Sequence, residues 1–252
     1  MAEHRVDTPE PIELEVKIPA GDIVVETIDG EESTVFVEGS ERLVEQTIVE
    51  QRGNRIVVEF RGQKGFGITI DIAGWRFGNE KLRVHARVPH SSRAELSSAS
   101  ADAHVSGQLS ALDAKTASGD LTVAAEVFGD AAVKTVSGDV RLQGPVHGDV
   151  QVQTVSGDAH VSRVGGSVTT KSVSGDVRIE SAREGKATLQ SVSGDIVLGV
   201  EPGTALDVDA NSVSGDLDSA VPLGSEAGFE FGGPTLVVRG KTVSGDFRIV
   251  RA

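Results

Sequence analysis

Apolar and polar residues alternate in short segments along most of this chain, and after residue 91 the alternation recurs with a nearly constant period. Leu121-Thr122-Val123 and Val140-Arg141-Leu142 each place a polar residue between two apolar ones. A second alternating segment lies earlier in each repeat, for example Val150-Gln151-Val152. Alternation with a period of two, rich in β-branched residues, is typical of strands that bury one face. Each repeat is therefore predicted to contain at least two short strands.

The period is carried by the tripeptide Ser-Gly-Asp, which recurs about every 19 residues after a degenerate copy, Ser100-Ala101-Asp102. Such a repeat indicates a solenoid, in which stacked units bury one another's apolar faces. The sequence predicts an all-β, single-chain parallel β-solenoid (β-helix), right-handed and with either two or three sheets. Neighbouring coils should lie about 4.8 Å apart. The residues of this predicted turn ladder are Ser118, Gly119, Asp120, Ser137, Gly138, Asp139, Ser156, Gly157, Asp158, Ser174, Gly175, Asp176, Ser193, Gly194, Asp195, Ser214, Gly215, Asp216, Ser244, Gly245 and Asp246.

Each Ser-Gly-Asp corner is predicted to be held by its own residues. We expect the Gly to supply a positive φ, and the Ser and Asp side chains to cap backbone N–H groups. Stacked carboxylates repel one another unless they are compensated. Basic residues flank the Asp column on both sides, and we expect them to compensate it; they are Lys115, Lys134, Lys171, Lys241, Arg141, His160, Arg178 and Arg248.

Calcium is the alternative compensation for the Asp column. Calcium-binding β-rolls use a nonapeptide of the form Gly-Gly-x-Gly-x-Asp. Each turn of this chain offers only one Gly and one Asp. We therefore predict structural capping and no metal site, with calcium as the less favoured interpretation.

Two regions of the chain differ in the spacing of their strand-like segments. Residues 1–90 contain strand-like segments at irregular intervals and are predicted to form wider early coils or a strand-rich N-terminal cap. Residues 91–252 are predicted to form the regular solenoid. A solenoid needs caps because its terminal coils otherwise expose unpaired strand edges. The insertion at 224–240 is predicted to cap the second end.

Composition and charge narrow the function classes. The chain has 24 basic and 38 acidic residues, a net charge of −14, and nucleic-acid binding relies on neutralising phosphates, so no nucleic-acid partner is expected. No stretch is apolar enough for a membrane helix and no apolar leader is seen, so we expect a cytoplasmic protein, with peripheral envelope association as an alternative.

The repeated acids are equivalent, whereas general acid–base catalysis needs two unlike carboxylates. We therefore predict no catalytic residue, no cofactor and no enzymatic activity.

One segment concentrates large rings in a chain whose aromatic content is only 4%. Phe66, Trp75 and Phe77 lie among glycines, and Arg76 lies between two of the rings. Aromatic residues and Arg are favoured at protein interfaces. These four residues are therefore a candidate partner contact, and the alternative is that the rings plug an open end of the solenoid.

The recurring Val-Ser-Gly-Asp-Val string resembles the bacterial β-strand-repeat family described as "putative adhesins", a domain of unknown function. Arg87-Val88-Pro89 and Ile18-Pro19-Ala20-Gly21-Asp22-Ile23 match the same pattern, and the resemblance covers nearly the whole chain. It implies a β-helical fold and an association with the bacterial cell envelope or its stress responses. It implies no catalytic residue.

Together these observations predict a non-catalytic scaffold or protein-interaction module, with a protein partner or self-association more expected than a small molecule. A surface module that is adhesin-like or binds glycans is the alternative. A glycan-active β-helix enzyme is the third and least favoured hypothesis, because the repeats carry no groove of unlike acids.

Overall fold

The computed structural model describes residues 1–61, 81–221 and 233–252. These residues form strands almost throughout, with one short helix, α1 (Glu41–Glu45). The strands are β1 (Ala2–Asp7), β2 (Glu13–Ile28), β3 (Glu32–Glu38), β4 (Thr47–Arg52), β5 (Arg55–Phe60), β6 (Arg83–Pro89), β7 (Ser92–Ser106), β8 (Gln108–Lys115), β9 (Leu121–Val123), β10 (Glu126–Val127), β11 (Ala131–Lys134), β12 (Val140–Leu142), β13 (Val150–Gln153), β14 (Ala159–Val164), β15 (Val168–Lys171), β16 (Val177–Ala182), β17 (Gly185–Gln190), β18 (Ile196–Val200), β19 (Ala205–Ser212), β20 (Leu217–Ser219), β21 (Thr235–Thr242) and β22 (Phe247–Arg251).

Parallel ladders run through the repeats and confirm the predicted all-β solenoid. On one face β8, β11, β13, β15 and β17 pair in that order. On a second face β9, β12, β14, β16 and β18 do the same. A third, narrow face is a ladder of single residues, Val127, Val146, Val164, Ala182 and Val200. The coil is therefore three-sided, with two longer faces and one short one; its handedness stays a prediction.

The core consists of small aliphatic side chains stacked coil upon coil. The inward column of the second face, three residues after each Asp, is fully buried in Val123, Leu142, Val161, Ile179 and Leu198. The residues that alternate with this column, such as Arg141, point to solvent. Because each coil covers the apolar face of the next, burial at about 25 cal/mol per Å² accumulates along the stack without large rings.

The N-terminal end of the stack combines parallel and antiparallel pairing. β2 pairs in parallel with β7 along most of its length. On the other side of β2, its first half pairs with β5 and its second half with β6. Antiparallel strands then extend both sheets: β4 pairs with β5, β3 with β6, and β1 with β3. The edge of the first coil is therefore paired, which removes a site for uncontrolled strand addition.

The last two coils are stacked in the reverse of their order in the sequence. β21 lies between β17 and β19, and β22 lies between β18 and β20. The chain thus forms its outermost described coil first and then inserts residues 235–251 beneath it. The repeat period predicts that the coils stack on one another, and at this end the stacking order differs from the order along the chain.

Side-chain size explains the reversed order. The inserted coil buries Phe247 to 2% exposure, and Gly240 makes room for its ring, because a Cβ at Gly240 would lie 2.6 Å from it. The outer coil carries Leu217, which is half-exposed, and the small polar Ser219 in the same inward columns. The more apolar coil therefore occupies the position that is covered on both sides.

The predicted capping insertion at 224–240 lies partly outside the described residues. Its described end, from Thr235 onward, belongs to β21. The division at residue 90 stays a prediction, although β2 and β7 already form a long parallel pair across it.

Candidate functional site

The Ser-Gly-Asp corners line up on one edge of the solenoid, and their Asp residues form a closed hydrogen-bond ladder. The backbone N–H of each Asp donates to Oδ1 of the Asp in the neighbouring coil at 2.9 to 3.0 Å. A carboxylate that accepts a backbone N–H forms a charge-assisted hydrogen bond, which is stronger than a neutral one. The ladder runs through Asp102, Asp120, Asp139, Asp158, Asp176, Asp195, Asp246 and Asp216.

The glycines of these corners are needed for a reason other than the one expected from sequence. None of the seven has a positive φ, so that prediction is wrong. A Cβ on Gly157 would lie 2.0 Å from the carbonyl oxygen of Gly138, and one on Gly175 would lie 2.0 Å from that of Gly157. Coils about 4.8 Å apart leave no space for a side chain at this point. Glycine is required because neighbouring backbones approach each other here.

The serines of the corners also act differently from the prediction that they cap N–H groups. The hydroxyl of Ser174 donates to the carbonyl oxygen of Val155 in the neighbouring coil at 3.2 Å, and Ser193 bonds Val173 in the same way. The N–H cap comes from a residue that sequence reasoning missed. Two positions before the Ser, in six of the seven corners, a Thr or Ser hydroxyl accepts the N–H of the corner Gly, as the buried Thr154 does from Gly157 at 2.9 Å. A column made only of Thr and Ser was the signal for this role.

The flanking basic columns compensate the Asp ladder only in part. Arg141 and Arg248 pair with Asp139 and Asp246 at 2.8 and 2.5 Å. His160 instead lies 2.8 Å from Glu180, and this hydrogen bond holds the pKa of the Glu180 carboxyl below its ordinary value. The expectation that both basic columns neutralise the acids is therefore wrong for most of their members, since backbone N–H groups take that role.

The lysine column on the other side of the corner makes no contact with the Asp ladder. Lys115 pairs with Asp113 at 3.1 Å. Lys134, Lys171 and Lys241 form no ion pair with any residue in the three described ranges. Three ammonium groups along one edge of an acidic protein thus have no carboxylate partner among the described residues.

Metal binding and acid–base chemistry find little support at the corner. In the part of the chain that the structure describes, no three His, Cys, Asp or Glu side chains come together to hold a metal ion. The Oδ1 atoms of the ladder already accept hydrogen bonds, so calcium would have to compete with the backbone for them. The carboxylates are equivalent from coil to coil, which gives no pair with contrasting environments.

A groove runs along the same edge, on the side of the corner away from the Asp ladder. One of its walls is a ladder of exposed valines, each directly before a Ser-Gly-Asp. This valine ladder consists, in spatial order, of Val136, Val155, Val173, Val192, Val243 and Val213, whose exposed fractions are 51, 44, 46, 46, 47 and 82%. Six coils spaced by about 4.8 Å make this apolar wall about 24 Å long.

The opposite wall and the floor of the groove come from the two residues before each valine. Because side chains alternate along a strand, the residue two positions before the valine points outward beside it and the one between them points inward. The outward residues alternate between amine and amide in spatial order: Lys134, Gln153, Lys171, Gln190, Lys241 and Asn211. The floor is the Thr and Ser column. Two adjoining sections of 560 and 280 Å³ share Lys171 and Ser172.

Part of the backbone along this groove is already paired between coils. The N–H groups of Thr154 and Ser172 donate to the carbonyl oxygens of Lys171 and Gln190, both at 2.9 Å. The carbonyl oxygen of Val155 accepts both the N–H and the hydroxyl of Ser174. The groove therefore offers a ligand methyl groups, amines and amides, together with backbone N–H groups such as those of Val173 and Val192, which donate to no described residue.

The predicted partner contact Phe66, Trp75, Arg76 and Phe77 lies outside the described residues. Sequence reasoning missed the valine ladder, although its signal is plain. A valine precedes Ser-Gly-Asp in six of the seven copies, at a position where neither alternating strand requires an apolar residue.

No helix among the described residues is long and apolar enough to span a membrane.

Residues 10–249 match the family described as Toastrack DUF4097. Two solved structures are similar to the chain in fold. A "putative lipid binding protein" from Parabacteroides distasonis has a TM-score of 0.57 and 14% identity, over 99% of this chain and 96% of that one. A "putative adhesin" from Bacteroides fragilis has a TM-score of 0.55 and 14% identity, with the same coverage. No curated protein sequence is significantly similar to the chain.

Proposed function

We propose that this chain, which belongs to the Toastrack DUF4097 family, is a non-catalytic β-solenoid binding module whose ligand lies in the groove between the valine and lysine columns. The observation that carries this proposal is the valine ladder. Six aliphatic side chains remain 44% or more exposed in a line, beside lysines that form no ion pair with a described residue. Contiguous exposed apolar surface is uncommon on soluble monomers and tends to mark a binding site.

The contrast with the rest of the repeat supports a binding role over a structural one. Val161, in the inward column, is completely buried and packs against its copies. Val155 and Val173, by comparison, expose nearly half of their surface and are not needed to fill the core. A column of Ser or Lys would serve the fold equally well and would keep the edge more soluble.

The proposal is tested with anilinonaphthalene sulfonate, an anionic apolar dye whose fluorescence rises when it binds apolar surface. The triple variant Val155→Ser, Val173→Ser, Val192→Ser should weaken dye binding at least about tenfold, because it removes apolar contact along half of the wall. Its thermal stability should change little, since the valines are half-exposed.

The matched control is Phe128→Ser, which removes another half-exposed apolar side chain that does not line the groove. Phe128 stacks on His147 with ring centroids 5.4 Å apart. Equal dye binding by the wild type and the valine variant would contradict the groove as the binding surface. If binding disappeared instead in the variant Phe66→Ser, Trp75→Ser, Phe77→Ser, the aromatic segment would be the contact, as the sequence predicts.

An adhesin-like surface module is the second candidate function. The "putative adhesin" from Bacteroides fragilis favours it, but at 14% identity that likeness extends to the fold alone. An adhesin acts outside the cell, whereas the sequence predicts a cytoplasmic protein. Fractionation of native cells, with detection of the chain in cytoplasm and envelope, separates the two candidates.

A further inference from the structure

We propose that the groove binds the anion of a long-chain fatty acid, with the carboxylate at Lys171 and the acyl chain along Val192, Val243 and Val213. This inference rests on the proposed function and names the chemical class of the ligand. The larger groove section, of 560 Å³, is lined by these four residues and continues from Lys171 in one direction along the solenoid axis.

The first argument is that the apolar wall of the groove suits an acyl chain, which carries no hydrogen-bonding groups. An extended peptide carries an N–H and a C=O at every residue, and those that lose water must find partners. The backbone of the groove can supply only part of them, because groups such as the Ser172 N–H and the Val173 carbonyl oxygen already pair between coils. A polymethylene chain needs no such partners. It gains only from covering the valine methyl groups, which repeat about every 4.8 Å.

The second argument is the position of positive charge. Lys171 is the only ammonium group shared by the two described groove sections, and it forms no ion pair with a described residue. A carboxylate at this point would complete a charge-assisted pair. Beyond Lys171 the wall continues with Gln190, then Lys241 and finally Asn211. The acyl chain therefore runs from Lys171 along a wall in which two of the three side chains are neutral.

The third argument is the gradient of exposure along the valine ladder. Val173, Val192 and Val243 are 46 to 47% exposed, whereas Val213, in the outermost described coil, is 82% exposed. The valine ladder is therefore most exposed at the end toward which the acyl chain would run. Three coil spacings separate Lys171 from Asn211, a distance of about 14 Å. This length suits a saturated chain of about twelve carbons, by the geometry of an extended chain along this wall.

The experiment is a calorimetric titration of the full chain with dodecanoate below its micelle concentration. The wild type should bind one dodecanoate per chain. Dodecanol, which has the same chain but no charge, should bind about tenfold more weakly, as expected for the loss of one charge-assisted pair. Shortening the acid to octanoate should weaken binding about twofold for each methylene removed, because the groove covers only one side of the chain.

Two variants and one control locate the head and the tail. Lys171→Gln should reduce the affinity for dodecanoate about tenfold and leave that for dodecanol unchanged. Val192→Ser combined with Val243→Ser should weaken both ligands. Lys115→Gln is the matched control, because Lys115 belongs to the same column but pairs with Asp113 and does not line the described groove sections. It should leave both affinities unchanged.

The outcomes separate this inference from the proposed function. If the dye binds the valine groove but dodecanoate does not bind the wild type, the fatty-acid inference is wrong and the binding module stands. The inference is also wrong if dodecanoate binds with equal affinity to the wild type and to the double variant Val192→Ser, Val243→Ser. Equal loss of affinity in Lys171→Gln and Lys115→Gln would mean general charge attraction and would contradict the assigned head position.

Discussion

The two sides of the Val-Ser-Gly-Asp corner use the same repeat in opposite ways. On the Asp side, each carboxylate accepts an N–H from the next coil, and Asp158 and Asp176 are joined at 2.9 Å. On the valine side, Val155 and Val173 repeat with the same spacing, but their side chains remain about half exposed. Repetition produced a closed structural ladder on one side and an open wall on the other. The difference shows that a repeated residue is a functional candidate only where its neighbours in the stack leave it unsatisfied.

The same criterion assigns the glycine and hydroxyl columns to the structural side. Gly157 fits because the neighbouring backbone leaves no space, and Thr154 is buried with its hydroxyl on the Gly157 N–H. Substitutions on the structural side should therefore reduce stability and spare ligand binding. Substitutions on the valine side should do the reverse.

The largest effect on stability is expected from Gly157→Ala. The new Cβ would overlap the carbonyl oxygen of Gly138 at 2.0 Å and force two coils apart, which we expect to lower the free energy of unfolding by about 3 kcal/mol, the upper end of the usual cost of overpacking. The matched control is Gly215→Ala in the outermost described coil. Its Cβ meets the carbonyl oxygen of Gly245 at 2.2 Å, but that coil can move outward. Chemical denaturation compares the two, and an equal loss would contradict close coil packing as the reason for glycine.

A smaller effect is expected from Asp158→Ala, which removes the acceptor of the Asp176 N–H. The loss should be about 1.5–2 kcal/mol, the lower part of the range for a hydrogen bond to a charged group, because the ladder is solvent-accessible. Asp158→Asn should recover most of it, since the amide oxygen can still accept. Asp216→Ala should cost less, because no N–H of a described residue donates to its carboxylate. Thermal melts of the three variants test this order, and an unchanged melting temperature for Asp158→Ala would show that the ladder contributes little.

The sequence predicted the regular coils well because their chemistry is local and repeated. The columns that contain Val123 and Leu142 are buried as the alternation requires, and the parallel register follows the Ser-Gly-Asp period. The sequence correctly placed Gly157 at a corner but gave the wrong reason for it. A positive φ and a close approach of two backbones both require glycine, so the sequence does not distinguish them. The deciding quantity was the distance to the next coil, which lies 19 residues away.

The reversed order of the last two coils could not be deduced from the motif. Every coil presents the same Asp acceptor, so Asp195 can bond the N–H of Asp216 or of Asp246 equally well, and it bonds that of Asp246. The choice depends on how Phe247 fits over Gly240 in three dimensions. The valine groove escaped prediction for a related reason, because its walls join residues from six different coils.

The most direct test of the account is a methyl NMR titration of valine-labelled protein with dodecanoate. The account predicts that the methyl signals of Val173, Val192, Val243 and Val213 shift together with one dissociation constant. The signals of the buried Val123 should stay in place. Shifts confined to other valines, or uniform shifts of buried and exposed methyl groups, would contradict the claim that the open side of the corner is the binding surface.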